Sequence, residues 1–132
     1  MTNIANKKVN LFLVEKEKKR QHKLDIRFKK AWHDFDTIVT HIINEYNPKR
    51  IIQWGSLLER RQFTELSDID IAVEGIESAE TMFKLYGFIL DTSDFPVDIV
   101  QLEKIAPEFA EIIKEKGRVI YERENSLTDE RD

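Results

Sequence analysis

The stretch SDIDIAVEG, residues 67–75, constrains the fold more than any other part of the chain. Its strict alternation predicts a β-strand with one buried face. Successive side chains on a strand point to opposite faces, so Ile69, Ile71 and Val73 share one face while Asp68 and Asp70 share the other. The apolar face needs only a helix to cover it. The acidic face is harder to place, because two carboxylates about 4 Å apart repel by roughly 4 kcal/mol at an effective dielectric of 20, a sizeable part of a domain's stability. Either both point to water at a sheet edge or they share a cation. Side chains two apart lie about 7 Å apart along a strand, near enough to bend toward one hard ion.

The rest of the chain supplies the cover. Phe28, Ala31, Trp32, Phe35, Ile38, Val39, Ile42, Ile43 and Tyr46 recur at three- and four-residue spacing, which predicts an amphipathic helix from about His22 to Tyr46. Pro48 stops it, since proline cannot continue the hydrogen-bond ladder. RIIQW (50–54) reads as a short buried strand running into Gly55, and SLLERRQFTEL (56–66) as a helical turn and loop. ESAETMFKLYGFIL (77–90) predicts a helix with Ala79, Met82, Phe83 and Tyr86 inward, and PVDIVQL (96–102) a third strand with proline tolerated at its first position. Pro107 opens a helix carrying Phe109, Ile112 and Ile113, Gly117 closes it, and RVIYE (118–122) makes a last strand. Helices that bury one stripe must cover a sheet, so a two- or three-layer α/β domain follows.

At 132 residues the chain has the size of one domain with one active surface. No apolar run approaches the roughly 20 residues needed to span a bilayer. LFLV (11–14) is too short for the core of a secretory signal and is followed by EKEKKR, so a cytoplasmic protein is expected. There is no cysteine, and His22, His33 and His41 are too scattered for a zinc site, so any metal here is held by oxygen. The net charge of −4 hides an asymmetry: residues 1–30 carry ten bases against three acids, +7, and the remainder sums to −11. A basic arm can contact nucleic acid or an acidic partner, but a solvated helix face is the plainer reading. The expected division is a basic segment over 1–21, a folded domain over 22–123 and a polar tail over 124–132, with residues 1–8 and the tail frayed.

Two further features bear on chemistry. Gly55 at a strand end lets the backbone turn sharply and lets a ligand approach the main chain. Ser56 opens a helix-like run with Glu59 three residues on, the capping-box pattern; the start of a helix is also a seat for phosphate, and the two readings are compatible. Asp98 sits mid-strand between Val97 and Ile99, where aspartate is disfavoured without a task. If the third strand lies beside the second, Asp98 faces the same spot as Asp68 and Asp70. Three acids there suit a magnesium site and a general base. A calcium-loop reading fails, because the glycine and the distal glutamate of such a loop are missing.

On WGS (54–56), SDIDIAV (67–73), PVDIV (96–100) and the ending EIIKEKGRVIYER (111–123), the chain resembles the minimal nucleotidyltransferases of the DNA polymerase beta superfamily. In prokaryotes these are often paired with a helical HEPN-domain protein as antitoxin and toxin. The resemblance covers roughly residues 30–123. It implies a small mixed sheet of about four strands with helices packed on it, an α+β arrangement. It also implies that Gly55 and Ser56 hold nucleotide phosphates, that Asp68 and Asp70 bind Mg2+, and that Asp98 completes the metal site and activates an acceptor hydroxyl. A nucleoside triphosphate, ATP by preference, is then the substrate. The chain departs from the family pattern in the loop after Ser56: the spacer to Asp68 is one residue longer than usual and lacks the customary small residue, arginine and glycine. Arg60 or Arg61 could replace the lost phosphate contact, with surface placement the alternative for each, and Trp54 reads as core in preference to a base-stacking platform.

The resemblance implies an enzyme that transfers AMP to a hydroxyl of a protein partner, in antitoxins a tyrosine of the HEPN protein. The competing reading is a module that neutralises or supports a helical partner by contact alone. Modification of an aminoglycoside-like small molecule ranks lowest, because a single domain would need a homo-oligomer to build the pocket. Nucleic-acid binding by the basic segment is possible and would show as strong salt dependence; no membrane role is expected.

Overall fold

The computed structural model describes residues 4–124 and contains four strands, three α-helices and two short 3-10 turns in one mixed sheet assembly. The elements run α1 (Ile4–Tyr46), β1 (Arg50–Trp54), 3-10 turns at Ser56–Leu58 and Arg60–Gln62, β2 (Ile69–Glu74), α2 (Ala79–Thr92), β3 (Val97–Gln101), α3 (Pro107–Lys116) and β4 (Arg118–Glu122). The sheet order is β3-β2-β1-β4. β1 is antiparallel to both β2 and β4, while β2 and β3 are parallel and joined through α2. This is the small mixed four-stranded α+β sheet that the family resemblance implied, built around one crossover unit.

Alternation decides which face each helix covers. Ile51, Ile69, Ile71, Val73 and Ile99 form one core with Leu24, Phe35, Ile38 and Ile42 of α1 and Met82, Leu85 and Ile89 of α2. Ile52 and Ala72 point the other way, into a smaller core with Ala110 and Ile113 of α3. Helix α1 therefore covers the sheet. It ends where expected: Asn47 turns left-handed at φ +41°, its N–H still donating to the Ile43 carbonyl, and Pro48 follows.

Two expectations are corrected. Helix α1 starts at Ile4, far before His22; the amphipathic stripe starts only with Leu24, and the segment ahead of it is helical on propensity, being rich in Lys, Glu and Leu. At 1.5 Å per residue the helix is about 65 Å long, so its first turns project beyond the sheet, and residues 5–20 are exposed throughout. In α2 the inward stripe is Met82, Leu85 and Ile89; of the four residues predicted to face inward only Met82 does, and Phe83 is 80% exposed. Two apolar stripes overlap on this helix, and the twist of the sheet beneath selects the one that starts at Met82 and steps by three and four.

Gln53 stands out inside the larger core. It is fully buried on β1, and neither its amide nitrogen nor its amide oxygen has a partner among the described residues. An unmet amide costs about 1–3 kcal/mol. Gln53→Met, nearly the same shape without the polar atoms, is expected to stabilise the fold by roughly 1 kcal/mol. Urea unfolding checks it; a lower midpoint at unchanged slope would show that the amide is satisfied.

Candidate active site

The carboxylates meet through strand register. Asp70 lies opposite Asp98 on the parallel neighbour β3, and Trp54 lies opposite Asp70 on the antiparallel neighbour β1. Side chains paired across adjacent strands share a face, so Asp98, Asp70 and Trp54 form a row across one end of the sheet, about 5 Å from strand to strand. Asp68, two residues before Asp70, falls on the same face by alternation.

No basic side chain among the described residues answers this charge. Among the described residues, the carboxylates of Asp68, Asp70 and Asp98 accept no side-chain hydrogen bond and form no ion pair. Burial pushes the Asp70 carboxyl up to about 6, and the charges of Asp68 and Asp98 push in the same direction. Tyr86, on α2, donates its hydroxyl to the Ile99 carbonyl at 2.9 Å, and its own pKa is raised by burial and then by Asp98. As placed, the acids do not close into a three-ligand cage among the described residues. Asp98 is exposed and Asp68 half-buried, neither held by a partner, so both are free to turn. The donor set, oxygen only and uncompensated, fits a hard divalent ion such as Mg2+.

Gly55 abuts this row. It has φ +85° and ψ −167°, a conformation close to glycine-only, and a Cβ built on it would lie 2.1 Å from Asp70 Oδ2. The run after it is a three-residue 3-10 turn, too short for the helix dipole that the sequence suggested, and the capping box does not form. Ser56 instead donates to Ser67 Oγ at 2.8 Å, and Ser67 Oγ also accepts from the Thr64 N–H. Buried Ser67 thus pins both ends of the spacer, holding Ser56 beside the start of β2.

Arg60 and Arg61 are placed otherwise engaged. Arg60 bonds Asp25 at 2.6 Å and the Gln21 side chain at 2.9 Å, tying the spacer to α1. Arg61 is exposed and pairs with Glu59 at 3.3 Å. The cation that does stand near the turn is Lys116. It shares with Trp54, Gly55, Ser56, Phe109 and Ile112 the lining of a cavity of about 470 Å³ between the turn and α3. Gly117 brings that end of α3 in: a Cβ there would sit 2.5 Å from Ile52 Cγ2, so only glycine permits the approach to β1. In the sequence, Lys116 is one of two lysines in the last turn of a helix, and nothing local singles it out.

The family model of polymerase beta nucleotidyltransferases matches residues 36–126. The chain belongs to this family. The nucleotidyltransferase match spans the whole sheet, the Gly55 turn and all three aspartates, and leaves the projecting part of α1 outside it. Among solved structures, a chain of the toxin–antitoxin MntA–HepT matches with a TM-score of 0.52 at 17% identity, over 76% of this chain and 77% of that one. A chain from a mutant of that toxin–antitoxin pair matches with a TM-score of 0.51 at 23% identity, over 72% and 76%. At such identities the likeness is one of fold. No curated protein matches the chain in sequence.

Proposed function

We propose that this nucleotidyltransferase is magnesium-dependent, transfers AMP from ATP to a hydroxyl of a protein partner, and acts as the antitoxin of a helical HEPN-type toxin. The observation that carries the chemistry is the row of unpaired carboxylates beside a turn that only glycine can make. The likeness in fold to a chain of the MntA–HepT pair supports the choice of partner.

Asp68 and Asp70, with Asp98, would hold Mg2+, which when bound offsets the negative charge on the phosphate oxygens. Gly55 lets the triphosphate approach the main chain, and Ser56 Oγ, anchored by Ser67, stands ready to turn toward it. Asp98 is the most exposed of the three acids and lies on the edge strand, where an acceptor can reach it. Its carboxylate takes the proton of the acceptor hydroxyl as the new O–P bond forms at the α-phosphorus and the bond to pyrophosphate breaks.

The direct experiment incubates the protein with α-labelled ATP, magnesium and a helical partner encoded beside it. Asp98→Asn is expected to keep the complex and to reduce labelling about 100-fold or more, the usual contribution of a general base. A second reading, neutralisation by contact, draws on Val9, Leu11, Phe12, Leu13 and Val14, which are at least 50% exposed around the projecting part of α1. Full neutralisation of the partner by Asp98→Asn would favour it over catalysis.

A further inference from the structure

We propose that the cavity between the Gly55 turn and α3 receives the nucleobase and ribose of the nucleotide, with Phe109 and Ile112 as its apolar wall and Trp54 as its floor. This assignment rests on the nucleotidyl-transfer reading of the carboxylate row. Four observations carry it. The cavity's volume, about 470 Å³, falls within the range of about 300–1,000 Å³ usual for small-molecule sites. Its lining is wrong for phosphate alone: Phe109 and Ile112 are 38% and 48% exposed, and Trp54 meets the Phe109 ring edge-on at 5.6 Å. A flat ring laid against these side chains would cover apolar surface that the fold leaves open. The rim also carries a polar group: the exposed Lys116 ammonium has no hydrogen-bond or ion-pair partner among the described residues.

The fourth observation is position. Asp98, Asp70 and Trp54 follow one another across the sheet, so the cavity and the proposed general base flank the Asp70 carboxylate on opposite sides. An acceptor must attack the α-phosphorus opposite the departing pyrophosphate, whose seat is the Gly55 turn. A protein hydroxyl in the cavity would sit on the leaving-group side and away from Asp98. The nucleoside is under no such constraint, because its 5′-oxygen stays bonded to the phosphorus throughout.

The test compares ATP with inorganic triphosphate, each titrated with magnesium into the full chain by calorimetry. Wild type is expected to bind ATP at least about tenfold more tightly than triphosphate. Phe109→Ala and Ile112→Ala are each expected to weaken ATP about tenfold and leave triphosphate unchanged, in line with stacking contributions in other nucleotide sites. Both side chains are open enough for truncation to spare the core, and retained triphosphate binding reports an intact turn. In a Trp32→Phe background, which leaves Trp54 as the one tryptophan, ATP and not triphosphate should change the fluorescence. Equal affinity of wild type for both ligands, or unaltered ATP affinity in both alanine variants, would overturn the nucleoside assignment while leaving the phosphate site standing. Binding of neither ligand would overturn both.

Discussion

Asp70→Asn is expected to abolish transfer and to make the protein more resistant to heat. Asp70 is the middle member of the acidic row, flanked by Asp68 in sequence and by Asp98 across the strand pair. Losing a carboxylate proposed to hold Mg2+ should lower activity by more than about 100-fold, since even the outer partners of metal ligands are worth about 10- to 100-fold. Stability moves the other way. The carboxyl is raised from 3.8 to about 6 in the folded protein, chiefly by burial and then by its two acidic neighbours. Below pH 3.8 it is protonated in both the folded and unfolded states and costs nothing; between 3.8 and about 6 the unfolded chain gives up the proton first. Stability from this group therefore falls across that window, and the full cost persists above it. Because Asp70 is only half-buried, solvent screening reduces the cost to about 1 kcal/mol, or roughly 3–5 °C in a domain of this size.

Paired melting curves of wild type and Asp70→Asn should coincide near pH 4 and separate by that interval above pH 6, with the variant higher. Adding magnesium at pH 7.5 should raise wild type and not the variant, because an ion that binds only the folded site stabilises it. A variant that melts no higher than wild type at pH 7.5 without magnesium would mean that the acids do not strain the fold. The row would then need no cation to explain it.

The parts of this site that are local in sequence could be read there, and the parts that depend on which element lies beside which could not. Alternation put Asp68 and Asp70 on one face, and a mid-strand aspartate marked Asp98; both follow from the two-residue period of a strand. That Asp98 lies opposite Asp70 depended on β3 pairing with β2, a choice made by the α2 crossover and not by either strand alone. The misassigned face of α2 has the same origin, because Met82 belongs to both apolar stripes and the sheet chooses between them. Arg60 looked free in the loop because its partners Gln21 and Asp25 lie far back in α1. Lys116 went unnoticed because what distinguishes it is its distance from Gly55 in space, set by the contact of Gly117 with Ile52. The projecting turns of α1 escaped the amphipathic pattern because they have nothing to pack against, and helix propensity is a weak signal without a buried face.

Gly55→Ala is expected to damage fold and activity together, through two separable causes. The first is backbone strain: φ +85° with ψ −167° lies in a region that side chains other than glycine's rarely enter, at a cost of about 1–3 kcal/mol. The second is contact, since the new methyl would fall 2.1 Å from Asp70 Oδ2 and 2.9 Å from Asp70 Cγ, driving that carboxylate out of the row. Together they should lower the melting temperature by roughly 10 °C and reduce nucleotidyl transfer at least about 100-fold. A double-mutant cycle with Asp70→Ala separates the two causes, because shortening residue 70 removes the 2.1 and 2.9 Å contacts, leaving only its Cβ at 3.2 Å, and keeps the strain. The double variant should be more stable than Gly55→Ala alone by about 1 kcal/mol or more and just as inactive. Strictly additive effects would place the Asp70 carboxylate out of reach of the turn. In that case the phosphates and the ion would not share one site, and the turn would have to be explained by folding alone.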